Sequence, residues 1–208
     1  MYLPNHFREE DPKALHELIR RHGFGTLIAT VEGALEIAHL PFLIDPDAGP
    51  HGTLIAHVAR ANPIRQAFDG ATEAIAVFQG PDAYVSPDWY QNRVAVPTWN
   101  YAVVHAHGRP VALDEAALTR FLERLSAEHE QRLAPKRPWT IDKLPEAMFG
   151  GLKKAIVGFA MPIQRIEGKF KLSQNRQAPD RLGVIGALEA LPGEGRAGIA
   201  QLMRAKEK

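Results

Sequence analysis

The chain has 208 residues, of which 45% are hydrophobic and 24% charged, a composition that excludes disordered, collagen-like and coiled-coil proteins. Its 25 lysine and arginine residues balance 24 aspartate and glutamate residues, and the net charge of +1 gives no overall attraction to DNA or an anionic membrane. The absence of cysteine excludes disulfide scaffolds, thiolate metal sites and cysteine nucleophiles. The first residues lack the pattern of a signal peptide, and no window approaches about 18 apolar residues, so we expect a cytoplasmic protein that does not enter a membrane.

The amino-terminal part predicts one helix followed by antiparallel strands. Asp11-Pro12 combines a side-chain cap with a proline at the first helical position, and Gly23 is a suitable helix end. Asn62-Pro63 repeats the cap signal and opens a short helix that ends near Phe68. The strands expected here are residues 24–31, 34–44 and 53–60, the first two joined by the tight turn Glu32-Gly33.

The middle of the sequence combines a buried strand with a long aromatic loop. Residues 73–79 form a compact apolar run, which predicts a strand buried on both faces. Residues 80–97 predict an irregular loop, and a loop of that length in a compact chain is usually functional. Residues 101–113 return to strand character, and Asp114 caps an amphipathic helix.

The carboxy-terminal part predicts a short helix near residues 144–152 and then two strands. These strands are residues 156–166 and 169–173, with Glu167-Gly168 as the hairpin turn between them. Residues 178–208 are expected to form a helical or irregular extension broken at Pro192, Gly193 and Gly195. Roughly six or seven strands at hairpin spacing, with helices outside them, predict one α+β domain over residues 1–208, mostly β and built as an antiparallel barrel.

Motifs for nucleotide phosphates and for hydrolases are absent: the sequence has no Gly-x-Gly-x-x-Gly, no Walker A loop and no Gly-x-Ser-x-Gly.

His105 and His107 share one face of a strand, and His39 and His57 on other strands would complete a metal-ligand set. Capped or solvated strand histidines explain the same pattern, and we favour that interpretation over a metal site.

Two segments carry groups suited to an anion. Arg60 precedes the helix start at Asn62, where free backbone N–H groups favour a phosphate. From spacing alone we favour the alternative, in which Asn62 merely caps the helix and Arg60 meets a surface carboxylate. Residues 168–176 gather two lysines, an arginine, a hydroxyl and two amides, which suit a phosphate or a heterocycle, or form a solvated strand end.

Trp99 and Tyr101 point the same way along an extended chain, as a stacking wall, a dimer contact or an ordinary core requires.

Several blocks, in order along nearly the whole chain, carry a further signal. They are Met1-Tyr2-Leu3-Pro4 through Phe7, His39-Leu40-Pro41-Phe42, His57-Val58-Ala59-Arg60-Ala61-Asn62-Pro63, Phe78-Gln79-Gly80-Pro81, Tyr84-Val85-Ser86-Pro87, Trp89-Tyr90, Val96-Pro97-Thr98-Trp99-Asn100-Tyr101 and Gly168-Lys169-Phe170-Lys171-Leu172-Ser173-Gln174-Asn175. Together they resemble the PaiB-type family of FMN-binding negative transcriptional regulators. The last two blocks are the most specific, and residues 192–208 carry no signature.

The resemblance implies a split β-barrel related to pyridoxamine-phosphate oxidases and flavin reductases, working as a homodimer with FMN at the interface. It implies that Arg60 and Asn62 bind the FMN phosphate. The residues implied to line the flavin are His39, Leu40 and Pro41, and His57 is counted in the same site. Trp99 and Asn100 are implied to come from the partner chain, and the site is closed by Lys171, Ser173 and Gln174. Such a set suits FMN, which needs cations for its phosphate, an aromatic or apolar wall and amide donors for its ring edge.

Three functions follow, in order of preference. The first is an FMN-binding negative regulator of transcription, acting directly or through a partner. Direct DNA binding is possible, but neither the near-neutral charge nor a helix-turn-helix supports it, and the basic stretches at 132–137 and 153–154 are short. The alternative is an FMN-dependent oxidoreductase acting on a small molecule, with His57, His105 and Tyr101 as candidate proton donors. A metal-dependent barrel enzyme that uses His105 and His107 ranks third.

Overall fold

The computed structural model describes residues 1–91 and 94–207, which contain nine strands and five α-helices. The strands are β1 (Arg8–Glu9), β2 (Phe24–Val31), β3 (Ala34–Pro41), β4 (Leu43–Asp45), β5 (Thr53–Ala59), β6 (Ala74–Val85), β7 (Thr98–Gly108), β8 (Val111–Ala112) and β9 (Ile156–Lys171). The helices are α1 (Pro12–Arg21), α2 (Glu115–Gln131), α3 (Glu146–Lys154), α4 (Ala178–Ala190) and α5 (Glu194–Lys206).

The sheet is antiparallel wherever its register is defined. Strand β2 pairs with β3 and β6, and β5 pairs with β4 and β9. The short strands β1 and β8 also pair with β9. The strand order is β3-β2-β6-β7-β9-β5-β4. The predicted mostly antiparallel α+β fold is therefore confirmed.

Local sequence signals account for the helix starts and for the main hairpin. The carboxylate of Asp11 accepts a hydrogen bond from the backbone N–H of Lys13 at 3.0 Å, and that of Asp114 accepts one from Ala117 at 2.7 Å. Between β2 and β3, Glu32 and Gly33 have φ values of 51° and 83°, the left-handed pair that a two-residue hairpin turn requires. All three features were predicted.

Strand β9 corrects the prediction of two strands joined by a turn at Glu167-Gly168. It continues without a break from Ile156 to Lys171, and Gly168 pairs with Glu9 of β1. The glycine is explained by a close approach: a Cβ there would lie 2.2 Å from Leu15 Cδ2 and 3.1 Å from the carbonyl oxygen of Glu9.

Strand β6 corrects two further predictions. It extends to Val85, so residues 80–85 belong to a strand rather than to the long loop, which begins at Ser86. Buried and partly exposed residues alternate from Ala74 to Phe78, so this segment is covered on one face and not on both. Asn92 and Arg93 of the predicted loop lie outside the described residues.

Two compact units divide the chain, and β6, β7 and β9 each run through both. The terminal unit comprises Met1–His22, Phe78–His105 and Glu167–Lys208, and the central unit comprises Gly23–Val77 and Ala106–Ile166. In the terminal unit the fully buried side chains are Ile19, Phe78, Leu172, Ile185, Leu188 and Ile199. In the central unit they are Leu27, Leu54, Ile64, Phe159, Met161 and Ile163. The domain organisation over residues 1–208 stays a prediction.

The predicted extension consists of α4 and α5, which pack against each other. Pro192 and Gly193 separate them, and Gly193 has a φ of 129° that other residues rarely adopt. Gly195 was predicted to break the chain but lies inside α5, where a Cβ would meet the carbonyl oxygen of Asp82 at 2.6 Å. Among the described residues no helix is long and apolar enough to cross a bilayer.

Candidate functional site

Arg60 follows β5 directly and is held by backbone carbonyls. Its Nε donates a hydrogen bond to the carbonyl oxygen of Lys154 at 2.6 Å, and Nη2 donates to that of Ile156 at 2.9 Å. The anticipated surface carboxylate is not its partner. The guanidinium has five N–H donors, so three remain that bond no described residue, and the backbone contacts fix the orientation in which they are presented.

Asn62 caps the turn after Arg60. Its Oδ1 accepts a hydrogen bond from the backbone N–H of Ile64 at 3.1 Å, as the cap signal predicted. The segment it opens, Pro63–Ala67, is a single short 3₁₀ helix rather than an α-helix. A helix that short adds little dipole, so the charge available for a phosphate here is mainly that of Arg60.

A cavity of about 310 Å³ lies beside Arg60 in the central unit. Its charged lining consists of Arg60, Lys153 and Lys154 against one carboxylate, Glu115. The apolar part of the wall includes Leu113, Leu118, Ile156 and Val157. We call this cavity the basic pocket; its size and excess of positive charge suit a phosphate group.

Strand β3, which carries the predicted flavin-lining residues, contacts the 3₁₀ helix that follows Arg60. The 3₁₀ helix Pro63–Ala67 packs against β2 and β3, which places the turn after Arg60 against the strand of His39 and Pro41. His39 is exposed, with Nδ1 3.0 Å from Thr26 Oγ1, whereas Leu40 points into the core. Leu40 therefore offers a ligand its backbone rather than its side chain.

His57 lies under helix α2. Its ring packs edge-on against Phe121 with 5.8 Å between ring centroids, and burial lowers the pKa of the imidazole. Its buried Nδ1 has no hydrogen-bond partner among the described residues. An unpaired buried nitrogen of this kind marks a place for a water or a ligand atom.

Asn100 and Ser173 meet in the core of the terminal unit. Asn100 is fully buried, and Ser173 Oγ lies 3.0 Å from its Nδ2 and 3.2 Å from its Oδ1. Ser173 has a φ of 62°, a left-handed conformation that costs energy for a residue with a Cβ. The structure therefore brings two predicted site residues together, with each side chain bonded to the other.

Lys171 and Gln174 are also engaged by the protein. Lys171 donates to Thr98 Oγ1 at 2.6 Å and to the carbonyl oxygen of Trp99. Burial, and the nearby charges of Lys169 and Arg176, lower the pKa of this amine. Gln174 closes the end of β9, because its Oε1 accepts from Leu172 N and its Nε2 donates to the carbonyl oxygen of Phe170.

Trp99 is an exposed aromatic residue of the terminal unit, as are Tyr2 and Tyr84. Its neighbour Asn100 is buried, while Trp99 itself is 53% exposed and meets Tyr84 edge-on, with 6.0 Å between the ring centroids. An indole that exposed is not a core residue. It offers a flat face of the kind on which a flavin ring or a second chain packs.

Sequence reasoning missed how the cations of residues 168–176 are accommodated. Lys169 lies over the rings of Tyr2 and Tyr101, each at 5.5 Å, and Lys171 lies 5.8 Å from the ring of Phe7. The block Met1 to Phe7 was recognised only as a signature; these contacts show that its aromatics serve as cation–π partners for β9. The pairing joins segments at opposite ends of the sequence.

The metal hypothesis rests on histidines that have other contacts. His107 Nδ1 lies 2.9 Å from Arg165 Nη2, so this nitrogen accepts a hydrogen bond from the guanidinium. His39 Nδ1 is within hydrogen-bond distance of Thr26. Both rings thus already have a protein partner at Nδ1.

The residues present fit FMN. The basic pocket offers positive charge to a dianion, and Trp99 offers an exposed aromatic face to a flat ring. The unpaired Nδ1 of His57 is a further polar atom without a protein partner among the described residues. These are the classes of group that the phosphate and the flat ring of the cofactor require.

Comparison with known proteins identifies the family. Residues 1–165 match the family model described as "Putative FMN-binding domain". The chain belongs to this FMN-binding family. A member from Bacillus subtilis, "Protease synthase and sporulation protein PAI 2", is 32% identical over 208 residues, which is 100% of this chain and 99% of the relative. An uncharacterized protein of Aspergillus fumigatus is 31% identical, with 98% of this chain and 97% of the relative covered. The recognised PaiB-type family and the predicted cofactor, FMN, are thereby confirmed.

Solved structures confirm the fold of this FMN-binding family member. The FAD and heme binding protein of Mycobacterium smegmatis superposes with a TM-score of 0.60 at 15% identity, over 85% of this chain and 78% of that one. The flavocytochrome Anf3 of Azotobacter vinelandii gives a TM-score of 0.55 at 15% identity, over 83% and 71% of the two chains. The fold is accordingly the antiparallel split barrel predicted above.

Proposed function

We propose that this chain is an FMN-binding regulator of the PaiB type that lowers the expression of other genes as a homodimer, through a partner rather than by reading DNA. The observation that carries the proposal is the full-length similarity to the Bacillus subtilis relative, whose name refers to protease synthesis and sporulation. The route through a partner is supported by the net charge of +1, because affinity for DNA comes largely from neutralised phosphates.

The proposed homodimer forms through the outer face of β2 and β3. Phe24, Leu35 and Ile37 are 72%, 71% and 58% exposed on neighbouring strands, and Ile37 pairs with Ile28. Exposed apolar side chains gathered on one sheet face are typical of a protein–protein interface, and the Thr26–His39 pair adds a polar contact between Phe24 and Ile37. A second copy of this chain also has the Trp99 and Asn100 that the resemblance assigns to the partner side of the flavin.

In this proposal the chain's own residues bind and orient the cofactor. Arg60, oriented by the carbonyls of Lys154 and Ile156, presents its remaining N–H donors to the phosphate. Trp99 of the second copy stacks on the ring, and in that copy the bonds of Lys171 to Thr98 and Trp99 hold this segment in place. When bound, FMN supplies a ring that takes up and returns electrons, which gives a regulator sensitivity to redox state.

The test is flavin analysis of freshly purified protein with sizing by sedimentation. We expect a yellow dimer that releases FMN on denaturation, and Arg60→Ala should weaken FMN binding at least about tenfold, since a charge-assisted hydrogen bond is lost. A colourless monomer that takes up no added FMN would refute the proposal.

A second pair of measurements separates regulation from the alternative. Sustained oxidation of reduced nicotinamide by the yellow protein would assign it to the oxidoreductases instead. A sequence-selective, salt-sensitive shift of DNA would show that it regulates directly and without a partner. The proposed route predicts neither result.

A further inference from the structure

Two of the three cations that line the basic pocket, Lys153 and Lys154, differ in their pairing with other side chains. Lys153 is already neutralised, because its Nζ donates to Glu115 Oε1 at 2.9 Å and to Thr119 Oγ1 at 3.2 Å. Lys154 makes no ion pair and no side-chain hydrogen bond with a described residue. Of the two, Lys154 is therefore the cation that is available to a ligand.

The side chains of Lys154 and Arg60 start from adjoining points. Arg60 Nε donates to the backbone carbonyl of Lys154 itself, and the backbone N–H of Arg60 donates to the carbonyl of Ala155 at 2.8 Å. Both residues line the same cavity. Two positive charges on the wall of one cavity both attract an anion that enters it.

Glu115 opposes anion binding in this pocket. It is the one carboxylate among the lining residues, and its pairing with Lys153 lowers the pKa of its carboxyl, so it is charged at neutral pH. It also withholds Lys153 from any incoming anion.

We propose that Lys154, together with Arg60, binds the phosphate of FMN in the basic pocket, and that Glu115 sets the strength of this binding by competing for Lys153. The inference rests on the proposed function, since it takes FMN as the ligand. It adds two residues outside the recognised blocks: a phosphate-binding lysine, and a glutamate that weakens the same interaction.

The glutamate gives the experiment an outcome of opposite sign. Lys154→Gln should weaken FMN binding about fivefold, because one solvent-exposed cation–phosphate contact is lost. Glu115→Gln should tighten FMN binding about twofold, since a repulsive charge is removed and Lys153 is released. Binding of riboflavin, which has the same ring and no phosphate, should be unchanged in both variants.

Titration of flavin fluorescence measures both ligands directly, without reference to activity. The matched controls for the change in net charge are Lys13→Gln and Glu10→Gln, which remove exposed charges in the terminal unit. Circular dichroism establishes that each variant is folded. Parallel changes for FMN and riboflavin, no change for either, or the same effect in the controls would overturn the inference while FMN binding itself stands. Failure of the unmodified chain to bind FMN would overturn the proposed function along with it.

Discussion

Replacing Asn100 by alanine removes half of a buried polar pair in the terminal unit. The amide lies in a fully buried position, with Ser173 Oγ at 3.0 and 3.2 Å and Met203 Sδ at 3.5 Å from its polar atoms. These contacts join β7, the segment after β9, and α5. Their loss should therefore destabilise the unit as a whole rather than one element.

The size of the effect follows from what is left behind. Losing two hydrogen bonds costs about 1 kcal/mol each, and the hydroxyl of Ser173 is left buried without a partner, so we expect Asn100→Ala to cost about 3 kcal/mol. Ser173→Ala should cost about 3 kcal/mol for the same reason, with the amide stranded instead. The double variant should cost about 2 kcal/mol, which is the loss of the two hydrogen bonds alone and less than either single variant, because it leaves neither group stranded.

Urea unfolding followed by circular dichroism gives these free energies, provided that the slope with denaturant is the same for all variants. Asn175→Ala removes an exposed amide nearby and should change stability by less than about 0.5 kcal/mol. Additive single effects would refute the pairing. Loss of FMN binding at unchanged stability would show that Asn100 contacts the flavin instead, as the family resemblance first implied.

Three further predictions test other features of the structure. Gly168→Ala should destabilise the protein by about 1–3 kcal/mol in the same unfolding assay, because the added Cβ would meet Leu15 and the Glu9 backbone. Gly150→Ala is the control, since a Cβ there meets open space and should not destabilise the protein. Equal stability of the two variants would contradict the close approach at Gly168. Ile37→Glu places a charge on the exposed face of β2 and β3 and should convert the dimer to monomer in sedimentation velocity, and an unchanged mass would exclude this face as the interface. Burial holds the pKa of His57 below its unfolded value of about 6.5, so the unfolded state binds a proton first as the pH is lowered. The free energy of unfolding should therefore fall as the pH drops below about 6.5. His57→Gln should flatten this pH dependence, and an identical slope in the variant would show that His57 does not contribute to it.

Features that depend on neighbouring residues could be predicted from the sequence. The caps at Asp11 and Asp114 and the turn at Glu32-Gly33 are decided by backbone groups within three residues, so their chemistry is legible without the fold. The recognised blocks likewise led to the family and to FMN, because they are local patterns that a family shares.

Features that depend on residues distant in the chain could not be predicted from the sequence. A glycine in a strand signals either a turn or a close approach of another segment. At Gly168 the contact with Leu15, far away in the chain, shows that the reason is a close approach. The same holds for the candidate site. Spacing suggested that Arg60 meets a carboxylate, yet its partners are the carbonyls of Lys154 and Ile156. The polar side chains of Asn100 and Ser173 are hydrogen-bonded to each other in the core. Composition and local pattern determine which groups the chain carries. Which of them remain available to a ligand is decided by packing, because burial makes each polar group bond whatever partner the fold brings within reach.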